Sequence, residues 1–174
     1  SSTPGGDSIS SLLHIAAGAI SDMAGNNIIP VEVDIEESPD TGRPILVRGS
    51  VELTTGILTL TMNETIDATP VSLIALNTIF LSNAAYETEV SLANTRADAI
   101  DGVDLIIYLN EAERVAALVR SGTMGGDGVA AHLFSRANGL VDLAGNNNSN
   151  FDIQLTEFSD HGVPLMINAT LDYG

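Results

Sequence analysis

Cysteine and tryptophan are absent from this chain, three tyrosines and four phenylalanines are its only aromatics, and six basic residues stand against 23 acidic ones. The missing cysteine excludes a disulfide framework, thiolate zinc sites and thiol nucleophiles. With aromatics at 4%, a core must be built from Leu, Ile, Val and Ala. Apolar residues still make up 44% of the 174, which is ample for a packed core and excludes a disordered acidic tail despite the net charge of −17. The scarcity of Lys and Arg excludes nucleic acid as a partner, because a phosphate backbone is bound by basic patches. It argues against anionic membrane surfaces for the same reason. No apolar run reaches the length of a membrane span, so no direct membrane insertion is expected. Residues 1–25 carry no basic segment and no signal-like apolar core. The acidic balance favours solubility, mutual repulsion and loose association with cations.

What the chain does contain is a repeat. Ser21-Asp22-Met23-Ala24-Gly25-Asn26-Asn27 recurs as Val141-Asp142-Leu143-Ala144-Gly145-Asn146-Asn147, an offset of 120. Without a gap, the same offset sets Gly5-Gly6-Asp7 on Gly125-Gly126-Asp127, Leu13 on Leu133, Glu37 on Glu157, Asp40 on Asp160, Gly42 on Gly162 and Pro44 on Pro164. Residues 1–54 map onto 121–174 with 16 of 54 positions identical, and several motifs share one register, so the match is not compositional. The unit is 120 residues long. Residues 1–42 are the C-terminal part of one repeat, 43–162 a complete repeat and 163–174 the first strand of the next, the pattern of a window cut from a longer array.

Within the complete unit, residues 44–53 alternate as a first strand, Thr54-Thr55-Gly56 is a hairpin turn, and 57–62 alternate again. Residues 67–75 are ambiguous, with Thr69-Pro70 able to cap a short helix. Residues 78–82, 86–92 and 103–109 read as strands. Asn110 with Glu113 three residues on is a capping box, and Val115, Leu118 and Val119 give helical spacing up to Ser121-Gly122. Residues 129–135 and 151–158 are the last two strands, joined by the Asp-x-Ala-Gly-Asn turn. The expected fold class is all-β: immunoglobulin-like β-sandwich repeats with one short helix per unit.

Leu58-Thr59-Leu60-Thr61-Met62-Asn63-Glu64-Thr65-Ile66-Asp67, and the Asp-x-Ala-Gly-Asn turns at 22–26 and 142–146, resemble the bacterial immunoglobulin-like domains of S-layer and other cell-surface proteins, with related repeats in large extracellular proteins of marine eukaryotes. The resemblance covers essentially the whole chain. It implies structure, spacing and adhesion, an extracellular or cell-surface location, and no catalytic residues.

The chemistry-bearing residues each have two readings. Asp22 and Asp142 either order a turn or ligate calcium. Asp98, Asp101 and Asp104 form Asp-x-x-Asp-Gly-x-Asp, a carboxylate group that calcium would favour, although the spacing is not that of a helix-loop-helix calcium site and Asp101-Gly102 is also an ordinary turn. Glu32, Asp34, Glu36, Glu37 and Asp40 are either a solvated face or a cation site at the repeat junction. Asn63, Asn147 and Asn168 each begin an N-x-S/T triplet and are candidate glycosylation sites. His14, His132 and His161 lie in no catalytic motif. Gly125-Gly126-Asp127-Gly128 lacks the Lys of a phosphate loop and reads as a flexible exit from the helix. The leading expectation is a non-catalytic structural module of a rod, matrix, S-layer-like protein or filament, with neighbouring repeats as its partners and no cofactor unless calcium. The alternative is an adhesin binding glycans or proteins through sandwich loops; a spacer beside an enzyme is a third.

Overall fold

The computed structural model describes residues 9–83 and 89–163, with Gly6 and Thr170 as single positions. Parts of two expected strands, 86–92 and 163–174, and the triplet at Asn168 lie outside the described residues.

Residues 43–162 form an all-β sandwich. Its first strand, β3 (Leu46–Glu52), turns through Thr54-Thr55-Gly56 into the ten-residue β4 (Ile57–Ile66). The alternation read from the sequence is the reason: Val51, Leu53, Leu58, Leu60 and Met62 are buried, while Thr59 and Thr61 sit on the outer face. A five-stranded sheet follows in the order β11–β3–β4–β8–β7, where β7 is Arg96–Ala97, β8 is Gly102–Tyr108 and β11 is Thr156–Phe158. The facing four-stranded sheet runs β10–β9–β5–β6, with β5 Ile79–Ser82, β6 Glu89–Ser91, β9 His132–Ser135 and β10 Phe151–Gln154. Ile79, Leu81 and Leu133 from this sheet meet Leu58, Leu60, Leu105 and Ile107 from the other in one aliphatic core.

The helix α1 (Glu111–Val119) has the capping box that Asn110 and Glu113 announce, with Glu113 N–H donating to Asn110 Oδ1 at 3.0 Å and Asn110 N–H donating to Glu113 Oε2 at 2.9 Å. Its buried contact differs from the expected stripe. Ala117 is fully buried and Leu118 packs on the core, while Val115 and Val119 are exposed. Residues 70–75 form a 3-10 turn, Val71–Leu73, rather than a capped α-helix. Residues 125–128 are not a loose exit: Gly126 N–H donates to Thr123 O and Gly128 N–H to Ser121 O, closing an ordered turn.

The expected final strand, 151–158, is two strands. It breaks at Leu155, whose N–H donates to Ala131 O at 2.8 Å and whose side chain enters the core. Before the break the chain pairs antiparallel with β9; after it, β11 pairs parallel with β3. The first and last strands of the unit therefore point the same way. The chain enters at one pole, where Asn63 N–H donates to Ile45 O, and leaves at the other, where Leu53 N–H donates to Phe158 O. The seven residues of β3 separate these poles by about 23 Å.

Residues 9–42 form a second, separate hairpin, β1 (Leu12–Ile15) with β2 (Val31–Asp34). Its strands begin and end 120 residues before β9 and β10, with the same pairing register. The bridge Ser21↔Asn27 matches Val141↔Asn147, and Ile35 N–H to Ser11 O matches Leu155 N–H to Ala131 O. The geometry is shared but the burial is not. Leu133, Leu140 and Leu155 are 0%, 1% and 3% exposed, whereas their counterparts Leu13, Ile20 and Ile35 are 48%, 57% and 43% exposed.

This contrast sets an expectation for equilibrium urea unfolding at low micromolar concentration. Leu133→Ala should lose about 2–5 kcal/mol through transfer and cavity costs, and Leu13→Ala less than about 1 kcal/mol.

Candidate functional site

The chemistry gathers at the two poles of the unit. At the N-terminal pole, Asp142 orders its own loop. Its Oδ1 accepts the N–H groups of Ala144 and Asn146, each at 2.8 Å, and its Oδ2 accepts Asn146 Nδ2 at 2.9 Å. Gly145 turns the chain at φ 87°, which a side chain would strain. Asp22 makes the same three bonds in the first hairpin, and those from Asn26 hold its carboxyl below the ordinary carboxylate range. The difference lies in what surrounds the loop. The bridge Ile66↔Asp142 and the bond from Asp67 N–H to Val141 O fasten the second copy to the end of β4, so Asp142 is 3% exposed.

This fastening brings Asp142 to Glu64, and Asp40 of the preceding linker joins them. Ligand oxygens of the three carboxylates lie within 4.8 Å of one another. Asn146 Nδ2 also donates to Asp40 O at 3.3 Å, and Asp40 Oδ1 accepts Gly42 N–H. Partial burial pushes the Glu64 carboxyl above its ordinary value, and repulsion from Asp142 and then Asp40 adds to the rise. The oxygens of the group are of the kind a divalent cation takes.

At the C-terminal pole Arg114 is the organiser. Its Nη1 donates to Leu53 O and to Asp160 Oδ2, both at 2.8 Å, and its Nε and Nη2 take both oxygens of Glu111. Asp160 Oδ1 accepts Gly162 N–H at 2.7 Å, as Asp40 does for Gly42. The Gly162 amide first, and then the Arg114 guanidinium, hold the Asp160 carboxyl below the ordinary carboxylate range. Beside it, Glu157 accepts Ala131 N–H and Gly122 N–H, tying the last strand to both the hairpin and the helix exit. Glu37 grips Ser11 N–H and Oγ in the same register.

The expected calcium group is not brought together. Asp98 accepts the Tyr108 hydroxyl at 2.9 Å, which raises the phenol above its ordinary value. Asp101 takes Ala68 N–H, and Asp104 takes Thr61 Oγ1 on the outer face of the sheet. Each carboxylate serves a different neighbour because an irregular segment, residues 98–101, separates β7 from β8. Among the described residues, the three-carboxylate group is Asp40, Glu64 and Asp142. Of the junction acids, Glu32, Asp34 and Glu36 are exposed, with Glu32 facing His14 at 3.3 Å; Glu37 and Asp40 are used as described. Asn63 and Asn147 are both exposed, Asn63 accepting Ile45 N–H at 2.6 Å. His132 faces Asp152 at 3.2 Å. Arg114 and Glu64 stand in no motif of the sequence that marks a site. The identity of Asp40 with Asp160 and Asp22 with Asp142 was the available signal for the poles.

A cleft of about 430 Å³ opens over β9 and β10, lined by Phe134, Phe151, Arg136, Asn150, Asp152 and Glu89. Phe134 stacks on Phe80 with centroids 5.0 Å apart, and Arg136 lies over the Phe80 ring. Among the described residues, no helix is long and apolar enough to cross a membrane. No protein-family model, curated protein or solved structure matches the chain.

Two outcomes follow from the poles. Arg114→Met should keep the stem packed while leaving Asp160 and Leu53 O without their donor. The melting midpoint should drop by a few degrees, and amide exchange at Gly162 should speed up more than in β4. For Glu64, the folded pKa lies above the unfolded one, so its protonation favours the fold. That contribution is complete below the unfolded value and is lost as pH rises through the folded one. Glu64→Gln should therefore stabilise the chain at neutral pH by about 0.5 kcal/mol, with the gain vanishing in acid, as read by urea unfolding across pH.

Proposed function

We propose that the chain is a run of immunoglobulin-like structural repeats from an extracellular or cell-surface rod, matrix or filament, acting as a spacer and load-bearing module rather than a catalyst. The observation that carries this reading is the parallel pairing of β3 with β11, which sends the chain in at one pole and out at the other. Units joined this way advance along a line instead of folding back. The recurrence of the hairpin at an offset of 120 supplies the repetition.

The poles supply the joint. Asp160 is the register counterpart of Asp40, so in an array each such aspartate is held from behind by an arginine like Arg114. In front it meets a pair like Glu64 and Asp142. Joints of this kind, with three-residue Asp-x-Gly linkers, favour a fixed angle between neighbours. The low basic content and the lack of cysteine agree with a solvated surface protein, and the partners on this reading are neighbouring repeats. An adhesin module is the second reading, and the Phe134–Phe151 cleft is the feature it would use. Those two positions are His14 and Val31 in the other hairpin, so the cleft is not a property of the repeating unit.

The test is to extend the chain upstream with a second copy of residues 43–120, which supplies the missing sheet in register. The β1–β2 amides should then exchange at least about tenfold more slowly, reflecting burial worth some 1.4 kcal/mol or more. Small-angle scattering should give an elongated particle about one unit longer. Unchanged exchange in β1–β2, or a compact folded-back particle, would sink the array reading.

A further inference from the structure

We propose that Asn147 is an acceptor for an N-linked oligosaccharide, placed by the fold beside the linker that joins one repeat to the next. The inference takes from the proposed function only the passage through a secretory pathway.

Two N-x-S/T triplets lie in the described residues, Asn63-Glu64-Thr65 and Asn147-Asn148-Ser149. A glycan asks two things of its asparagine: a side-chain nitrogen that the fold does not use, and open space for a bulky hydrated chain. Asn63 fails the first. It lies inside β4, its Oδ1 accepts Ile45 N–H at 2.6 Å, and its side chain also bonds Glu64.

Asn147 meets both, and the two hairpins together explain why. In the first, Ser21 Oγ donates to Asn27 Oδ1 at 2.6 Å, so that side chain braces the bridge Ser21↔Asn27. The second keeps the bridge as Val141↔Asn147, but valine has no hydroxyl. The brace is gone and the Asn147 side chain is exposed. The residues that follow differ in step with this. Asn147-Asn148-Ser149 stands where the first hairpin has Asn27-Ile28-Ile29. The copy that lacks the brace is thus the copy that carries the triplet.

The triplet is also held in a fixed pose. Asn148 is 1% exposed, and its Oδ1 accepts the N–H groups of Gly139 and Leu140, each at 2.8 Å. Its Nδ2 donates to Ser149 O at 2.7 Å. With the middle residue anchored inward, Asn147 and Ser149 both face solvent.

Attachment is a substitution at the sugar. Asn147 Nδ2 bonds the anomeric carbon of an oligosaccharide carried on a lipid pyrophosphate. The bond from that carbon to the pyrophosphate oxygen breaks, the pyrophosphate leaves with the electron pair, and Nδ2 gives up one of its two protons. No oxidant or reductant is needed. The position gives the sugar a role. Arg43 of the linker reaches Ser149 Oγ at 3.5 Å, and Asn146 Nδ2 donates to Asp40 O at 3.3 Å, so the triplet borders the linker. An oligosaccharide there shields an exposed connection from proteases and adds a solubilising group at the junction. The first hairpin has no triplet at this place, so the sugar marks particular junctions and not every one.

Expression of the 174-residue chain through the secretory pathway of a eukaryotic cell tests this. Secretion is imposed by the host, so failure counts against the acceptor and leaves the array reading standing. Removing N-glycans with a peptide glycosidase in heavy-oxygen water turns each occupied asparagine into a labelled aspartate. Peptide mass spectrometry should find the label at Asn147 in most molecules and far less of it at Asn63. Ser149→Ala, which keeps the asparagine, should abolish the label at Asn147. The glycosylated chain should melt no lower than Asn147→Gln, because the sugar stands off the fold. An unlabelled Asn147, more label at Asn63 than at Asn147, label that survives Ser149→Ala, or a glycosylated chain that melts below Asn147→Gln would overturn the proposal.

Discussion

Burial of one apolar hairpin face against the five-stranded sheet is what the unit depends on. Leu133, Leu140 and Leu155 have no core of their own, and neither do Leu58, Leu60 and Ile107 until the hairpin covers them. Because aromatics are few, aliphatic side chains must fill the gap between the sheets, and Gly49 leaves room for the Leu155 side chain, whose Cδ2 an added Cβ would meet at 2.7 Å. The same hairpin occurs at residues 9–42 with its loop bonds and strand register intact. Local hydrogen bonding therefore specifies the hairpin, and tertiary burial is a separate step that needs a sheet supplied from elsewhere.

Much of this was legible in the amino-acid order. Alternation at 57–62, the turn ending at Gly56 and the Asn110–Glu113 box are local signals, and each reports directly on backbone geometry. The repeat gave the boundaries of the hairpins because identical residues at a fixed offset mark identical turns. The break at Leu155 was not legible. Residues 151–156 keep one polar-apolar rhythm across it, which reverses only at Glu157-Phe158, and the burial of Leu155 and its bond to Ala131 reveal the change of sheet. Parallel pairing of β11 with β3 was hidden for the same reason, being a contact between chain ends more than a hundred residues apart.

The carboxylates teach a related lesson. Asp98, Asp101 and Asp104 are close in sequence and diverge in space, since an irregular segment and the start of a strand send them to different neighbours. Asp40, Glu64 and Asp142 are far apart in sequence and converge because a loop bridges to the end of β4. Spacing along a strand predicts facing only within one element. With so few basic residues, the placement of a single guanidinium carries weight, and Arg114 sits where linker, helix and hairpin turn meet.

The parallel arrangement of β3 and β11 has a mechanical meaning. Pulling on the two ends of residues 43–162 drags these strands in opposite directions along their length. The three ladder pairs Thr156↔Ser50, Glu157↔Val51 and Phe158↔Glu52 are then loaded side by side in shear, not opened one after another like a zipper. Hydrogen bonds sharing a load in this way break together rather than in sequence. In the proposed array, the orientation of one short strand would put each sandwich under shear along its sheet.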